Sequence, residues 1–200
     1  MDDMVRVFCV GVGGQGVLLA SRLIGETALL EGLRVSMSEV HGMAQRGGVV
    51  ETSVVLGKRY SPVLSDGEAD IMLAFEPLEA LRGISRCHSE SVIVVNSVPI
   101  PPFTVTQGGQ VYPEIEEIEK HLKDLVSKTF MLDALRLARD AGSERSLNVV
   151  MVGIVAGMGC LPLKKDSFFQ TIKKLLPPNL VEVNIKSFDL GYVVGRELTR

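Results

Sequence analysis

The sequence contains no tryptophan, only three tyrosines, and an odd number of cysteines, three, among its 200 residues. Hydrophobic residues nevertheless make up 46% of the chain, so the core must consist mainly of aliphatic side chains. This composition excludes a disordered chain and a small disulfide-rich fold. A chain of this length is the usual size of one domain, and we expect residues 1–200 to form a single domain.

Metal-binding patterns are also missing. The three cysteines lie far apart, at Cys9, Cys87 and Cys160, and no Cys-x-x-Cys pair occurs. An iron–sulfur cluster bound by one chain requires four clustered thiolates, which this chain cannot supply. The three histidines fall in separate predicted elements without the spacing of zinc ligands. The sequence therefore predicts no metal site.

Long basic or apolar runs are absent as well. The net charge is −3 and the isoelectric point about 5.7, and no basic run exceeds two residues, which argues against nucleic acid or an acidic membrane surface as a partner. A long uncharged and mostly apolar stretch, residues 146–163, is interrupted by glycines and a proline and indicates a buried helix rather than a membrane span. Because the acidic start lacks the pattern of a secretory signal, we expect a cytoplasmic protein.

Short apolar runs alternate with amphipathic segments along the chain. This order predicts an α/β fold with a mostly parallel, Rossmann-like sheet, helices on both faces and helices at the C-terminal end. A small hairpin insertion is expected over residues 103–111, where Gly108 and Gly109 adjoin. The predicted strands cover residues 5–10, 33–40, 49–56, 69–75, 91–95 and 129–132. The predicted helices cover 17–31, 113–122, 133–141, 148–158, 166–175 and 179–197, with one more beginning at Pro77.

A glycine-rich turn follows the first predicted strand. Gly11, Gly13 and Gly16 match the pattern G-x-G-x-x-G at the start of a helix, where backbone N–H groups can bind an anion such as phosphate. Gly14 and Gln15 complete this candidate cofactor-binding segment, and the Gln15 amide is placed to bond to a ligand or a neighbouring chain. The alternative is that the glycines only permit close packing of the strand against the helix.

A dinucleotide site would need more than this turn. It requires a second β-α-β unit and an acidic residue about 20 positions further on. Glu39 has roughly that position, but the second predicted strand leads into another strand without a crossover helix of ordinary length. Bound NAD or FAD is therefore not the favoured interpretation.

Polar side chains are concentrated after the second predicted strand. Residues 39–48 contain Glu39, His41 and Arg46, separated by glycines, and these three are the candidate catalytic residues. The segment follows the carboxyl end of a strand, where open α/β sheets bind ligands, so it should lie beside the glycine turn. Two alternatives remain: His41 as a structural hydrogen-bonding group, and Arg46 paired with Glu39 or Glu51.

These two segments resemble a known family. The turn at residues 11–16 and the string S-E-V-H-G-M-A-Q-R-G-G at residues 38–48 resemble the γ-type domain of the 2-oxoacid:ferredoxin oxidoreductases. Within that family the string is similar to the small (β) subunit of indolepyruvate ferredoxin oxidoreductase. The resemblance continues through Ser61-Pro62, the strand with Asp70, Glu76, and residues 148–153, so it covers nearly the whole chain.

The resemblance implies an enzyme subunit that is inactive alone. Enzymes of this family decarboxylate a 2-oxoacid on thiamine diphosphate with Mg²⁺, pass electrons through iron–sulfur clusters to ferredoxin, and release an acyl-CoA. A larger partner subunit carries these cofactors, which leaves coenzyme A as a candidate ligand of the glycine turn. Aryl pyruvates are the substrates implied, while pyruvate, branched-chain 2-oxoacids and 2-oxoglutarate stay open.

Two other functions stay open from the residues alone. One is a free-standing nucleotide-dependent oxidoreductase that uses the glycine turn, and the other is a binding or regulatory module without catalytic contribution. The sequence also leaves the role of residues 164–200 open between packing and a partner interface. Exposed apolar faces around the aromatic residues of that segment would favour an interface; these are Phe168, Phe169, Phe188 and Tyr192.

Overall fold

The structure, a computed structural model, describes residues 4–41, 48–58, 61–100 and 111–200. Nearly all of the predicted hairpin lies outside these residues, as does Arg46, and only the backbone of His41 is described. The strands are β1 (Val5–Val12), β2 (Val35–His41), β3 (Val49–Leu56), β4 (Ala69–Ala74), β5 (Cys87–Asn96) and β6 (Thr129–Leu132). The helices are α1 (Val17–Leu30), α2 (Pro77–Gly83), α3 (Ile115–Leu125), α4 (Ala134–Ala141), α5 (Leu147–Gly157), α6 (Lys165–Leu175) and α7 (Pro178–Leu198).

The six strands of the described residues form one sheet in the order β2-β3-β1-β4-β5-β6. β1, β4, β5 and β6 are parallel, while β3 is antiparallel to both β1 and β2. This antiparallel pairing accounts for the short connection between the two strands, residues 42–48, since antiparallel neighbours need no crossover helix. The predicted mostly parallel α/β fold is confirmed. β2 runs in the same direction as β1, with β3 between them.

Helices cover both faces of the sheet. On β1, Val7 and Cys9 contribute to the core under α1 and the C-terminal helices. Phe8 and Val10 contribute to a second core under α2 and α3. All four side chains are at most 4% exposed, as expected for a central strand buried on both sides. α1 and α2 therefore leave the neighbouring strands β1 and β4 on opposite faces.

Glycines bring α5 and α7 unusually close together. A Cβ atom on any of the four glycines at this contact would lie between 2.0 and 2.3 Å from a backbone oxygen of the opposite helix. The two backbones therefore pack directly on each other, as small-residue stripes permit. These residues are Gly153 and Gly157 on α5, and Gly191 and Gly195 on α7.

The aromatic residues of the last two helices pack inside the molecule. Phe168 and Phe188 are fully buried, with ring centroids 4.9 Å apart. The ring centroids of Phe169 and Tyr192 lie 5.7 and 6.1 Å from that of Phe188. Phe169 and Tyr192 are only partly buried, and Val193 beside Tyr192 is exposed, so the role of residues 164–200 stays open between packing and a partner interface. Within the chain, α6 packs mainly on α1, and α7 packs on α5 and α4. No helix in the described ranges is both long and apolar enough to span a membrane.

Candidate functional site

The glycine turn and the segment after β2 meet at one edge of the sheet. In the strand register Gly11 pairs with Val50, and Val50 pairs with His41. Two strand spacings therefore place the Cα atoms of Gly11 and His41 about 10 Å apart. The N–H of Gly13 also donates to the carbonyl of Gly48, 2.9 Å away. The expected adjacency is therefore confirmed for the described ends of the second segment, residues 39–41 and Gly48.

Gln15 connects the end of β1 to the end of β4. Its backbone N–H donates to the carbonyl of Val12 at 3.1 Å, and its side-chain Oε1 accepts from the Val12 N–H at 2.7 Å. Its Nε2 donates to the carbonyl of Phe75, which directly follows β4, at 2.7 Å. Both ends of the amide have partners within the chain. A ligand contact by Gln15 stays a prediction.

Three positions of the turn require glycine, each for a different structural reason. A Cβ on Gly11 would lie 2.7 Å from Gln15 Oε1 and 2.9 Å from Phe75 Cβ, so glycine makes room for the Gln15 side chain. Gly14 has a φ of +103° with open space around it, and here the backbone conformation requires glycine. Gly16 has a φ of +78°, and its Cβ would lie 2.4 Å from Asn148 Nδ2.

The start of α1 offers backbone donors. The first helical hydrogen bond runs from Ala20 N–H to Gly16 O. The N–H groups of Gly14, Gly16, Val17 and Leu18 donate to no acceptor in the part of the chain that the structure describes. Together with the positive end of the helix dipole, such groups can bind an anion.

Asn96 is a buried polar residue at this edge that sequence reasoning missed. It ends β5, is 1% exposed, and donates from Nδ2 to Phe75 O at 3.2 Å and to Val98 O at 3.3 Å. Its Oδ1 is buried without a hydrogen-bond partner among the described residues. The only sequence signal was an amide side chain directly after the apolar run at residues 92–95.

Glu76 is a second residue without a role assigned from sequence, although it belonged to the family resemblance. Its carboxylate is fully buried. Oε2 accepts from Glu79 N–H at 3.1 Å, and Oε1 accepts from Tyr112 O–H at 2.5 Å and from Ile100 N–H at 3.2 Å. Glu76 therefore holds the residues on both sides of segment 101–110 against the start of α2.

The carboxylate of Glu76 affects the groups around it. Burial, the hydrogen bond to Glu76 and its negative charge raise the pKa of Tyr112 far above the ordinary tyrosine value. Glu79 is buried as well, and burial raises the pKa of its carboxyl, although Arg82 lies 2.6 Å away and opposes the shift. The charges of Glu76 and Glu51 add to the rise.

The candidate catalytic residues are placed only in part. Glu39 is solvent-exposed on β2, and His41 ends that strand. Arg46 falls outside the described residues, so its alternative pairing with Glu39 or Glu51 stays a prediction. Within the described ranges, no group of three or more histidine, cysteine, aspartate or glutamate side chains could bind a metal ion.

Relatives of known sequence match this chain over almost their whole length. The chain is 39% identical over 192 residues to the indolepyruvate oxidoreductase subunit IorB of Methanothermobacter thermautotrophicus, covering 96% of this chain and 98% of the relative. It is also 39% identical over 195 residues to the protein of the same name from Pyrococcus horikoshii, covering 96% of each.

A solved structure has the same fold. The γ subunit of a keto/oxoacid ferredoxin oxidoreductase from Geobacter sulfurreducens superposes with a TM-score of 0.70 at 22% identity, covering 96% of this chain and 99% of that one. The family model described as pyruvate ferredoxin/flavodoxin oxidoreductase matches residues 6–194. The family expected from the sequence is therefore confirmed. This chain belongs to the pyruvate ferredoxin/flavodoxin oxidoreductase family.

Proposed function

We propose that this chain is the cluster-free subunit of a 2-oxoacid:ferredoxin oxidoreductase that acts on indolepyruvate or another aryl pyruvate. The 39% identity to two indolepyruvate oxidoreductase subunits over nearly the whole chain supports this substrate class. In the proposed complex a larger subunit carries thiamine diphosphate, Mg²⁺ and the iron–sulfur clusters, and ferredoxin receives the electrons there. The complex is cytoplasmic and needs neither nucleic acid nor a membrane.

The residues of this chain do not fit the redox cofactors themselves. Three cysteines are one fewer than a single cluster needs, and burial raises the pKa of Cys9 to about 12. A thiol held in its protonated form is a poor metal ligand. We therefore assign this subunit a supporting role in the oxidative decarboxylation.

The turn does fit a phosphate of coenzyme A. In the proposal, the N–H groups of Gly14, Gly16, Val17 and Leu18 bind that phosphate, while the open space beside Gly14 leaves room for it. Coenzyme A, when bound, supplies the thiol that accepts the acyl group. The protein contributes a fixed array of donors, which costs little reorganisation when the anion binds.

The hydrogen bond from Gly13 N–H to Gly48 O carries the proposal of a shared site. It joins the coenzyme A turn to the segment that contains Glu39, His41 and Arg46. We propose that these three side chains face the cofactor pocket of the large subunit when the complex forms. A free-standing nucleotide-dependent oxidoreductase is less well supported, because the antiparallel strand β3 replaces the second β-α-β unit of a dinucleotide fold.

Reconstitution tests the proposed activity. The chain is co-produced with its large thiamine-diphosphate subunit, and ferredoxin reduction is measured with indolepyruvate, pyruvate, 2-oxoisovalerate and 2-oxoglutarate. We expect turnover with indolepyruvate only when both subunits and coenzyme A are present. Turnover by this chain alone would contradict the proposal and favour a free-standing oxidoreductase. A complex whose activity is the same without this chain would contradict it and favour a regulatory module.

A substitution tests the proposed role of Arg46 in the segment after β2. Arg46→Ala should lower turnover of the reconstituted complex at least tenfold while the melting temperature stays unchanged, since we place the guanidinium at the substrate side of the interface. Arg136→Ala, on the exposed side of α4, is the matched control and should retain full activity. Equal turnover of the two variants would remove Arg46 from the site.

A further inference from the structure

We infer that Gln15 is a positioning residue that holds the anion-binding amides in place, and that Asn96 assists it through the same backbone carbonyl. We call Gln15, Phe75 and Asn96 the strand-end cluster. The inference rests on the proposed coenzyme A contact at the turn. It assigns the Gln15 side chain to the fold of the site rather than to the ligand.

The first observation behind the inference is that the strand-end cluster lies between the ends of β1 and β4. α1 and α2 leave β1 and β4 on opposite faces, and at such a switch point an open α/β sheet has a crevice outside its strand ends. Here the Gln15 side chain occupies the space between Val12 and Phe75, with hydrogen bonds of 2.7 Å to each. It uses the volume that the missing side chain of Gly11 leaves free.

The polarity of the hydrogen bonds carries the second step. The side chain must accept from the Val12 N–H and donate to the Phe75 carbonyl. An amide does both, whereas a carboxylate only accepts. Glutamate has nearly the same shape but would direct a carboxylate oxygen at the Phe75 carbonyl. Methionine has a similar length but would leave the Val12 N–H without a partner, which is costly for a part-buried donor.

The third observation is that Asn96 donates to the same carbonyl as Gln15. Its Nδ2 reaches Phe75 O at 3.2 Å, so one carbonyl accepts from both Gln15 and Asn96. The ends of β1, β4 and β5 are thereby joined at a single atom. Because Gln15 lies within the turn, any shift of this carbonyl moves the neighbouring N–H groups of Gly14 and Gly16.

The dissociation constant of coenzyme A for the reconstituted complex, measured by isothermal titration calorimetry, tests the inference. We expect Gln15→Glu to raise it about tenfold. The KM for coenzyme A should rise in parallel, whereas kcat at saturating coenzyme A and the KM for the 2-oxoacid should stay within about twofold. A merely structural defect would lower the active fraction and therefore kcat, with the KM for coenzyme A unchanged. Lys123→Ala on the exposed side of α3 is the control and should change none of these values.

Two further variants keep every outcome decisive. Gly14→Ala strains the turn directly through its positive φ and reports on the coenzyme A site itself. If Gly14→Ala weakens coenzyme A binding and Gln15→Glu does not, the positioning role is wrong and the proposed site stands. If neither variant weakens binding, the coenzyme A contact is wrong and the inference falls with it.

Should Gln15→Glu fail to fold, Asn96→Ala takes its place. It removes one donor from Phe75 O and should weaken binding about threefold, and unchanged binding would overturn the inference.

Discussion

The carbonyl oxygen of Phe188 lies 2.3 Å from the position that a Cβ atom would occupy on Gly153. No side chain fits in that space, because real Cβ atoms do not approach a backbone oxygen so closely. The contact belongs to the glycine-lined crossing of α5 and α7. α7 is therefore held against α5 through backbone contact. The rings of Phe168, on α6, and Phe188, on α7, also pack on each other.

Gly153→Ala should therefore destabilise the protein. In an ordinary helix this change raises stability by about 0.5–1 kcal/mol, whereas here the added methyl group must separate two helices at a cost of about 2–3 kcal/mol. Urea unfolding monitored by circular dichroism measures the net loss. Val193→Ala, at an exposed position of α7, is the control and should change stability by less than about 0.5 kcal/mol. Equal stability of the two variants would show that the crossing can relax.

The ion pair of Asp70 predicts a pH-dependent stability difference. Burial tends to raise the pKa of Asp70, but the side-chain and backbone hydrogen bonds from Arg6, with its charge and a bond from His88, outweigh burial and lower it. A carboxyl with a depressed pKa stabilises the folded state above its unfolded pKa of about 3.9, and this contribution disappears as the pH falls through the folded value. Asp70→Asn should therefore cost about 1 kcal/mol at pH 7.

The same variant supplies its own control. As the pH falls through the depressed pKa of Asp70, the wild-type carboxyl becomes protonated, and the difference in free energy of unfolding between wild type and Asp70→Asn should shrink toward zero. Chemical unfolding at several pH values measures this convergence. A difference that is constant with pH would contradict the assigned role of the Arg6–Asp70 pair.

The thiols should be unreactive in the folded protein. Burial raises the pKa of Cys9 and of Cys87 to about 12, and burial raises the pKa of Cys160 as well. At pH 8 only about one Cys9 thiol in ten thousand would then be ionised. Ellman's reagent should therefore react slowly with the native chain and rapidly with all three cysteines in guanidinium. Fast reaction of one thiol before unfolding would show that its surroundings open locally.

Tyr112→Phe tests the buried carboxylate of Glu76. The variant removes a 2.5 Å hydrogen bond to Oε1, and leaving Glu76 with one donor fewer should cost about 1–3 kcal/mol at pH 7. A folded-state pKa above the unfolded value of about 10 means that the contribution of Tyr112 is present below pH 10 and is lost as the pH rises further. Wild type should therefore lose stability above pH 10 more steeply than the variant.

Two measurements check this prediction. Urea unfolding gives the free energy at each pH, and the absorbance of ionised tyrosine near 295 nm should rise equally in folded wild type and Tyr112→Phe until alkaline unfolding. Tyr192→Phe keeps the ring stack with Phe188 and is the control, with stability near that of wild type. Early ionisation of Tyr112 would contradict the assigned environment.

The sequence predicted correctly those features that depend on local sequence properties. Strands β3 and β6 have the predicted bounds, and α1 begins at the predicted residue, because apolar runs, turn glycines and helix starts are local properties. The glycine turn and the neighbouring segment after β2 were also found from residue type and position. Gln15 was recognised as important, but its intramolecular partners were not, because Phe75 lies 60 residues away in the sequence.

The buried polar groups at the strand ends were harder to find. Asn96 and Glu76 lie in unremarkable local sequence, and their roles depend on a carbonyl and a tyrosine supplied by other segments. The antiparallel direction of β3 was equally hidden, since a short apolar run reads the same in either direction. The missing crossover helix was its only trace.

The sequence by itself determined the α/β class, most element bounds to within two residues, the family and the two segments of the candidate site, since periodicity and residue type act over a few neighbouring positions. Only the tertiary structure decided that Gly13 bonds to Gly48, that Gln15 occupies the crevice between β1 and β4, and that α5 and α7 touch backbone to backbone. Those relationships join residues far apart in the chain. They arise when packing brings the strand ends together, so that buried polar groups such as the Gln15 amide find hydrogen-bond partners in other segments.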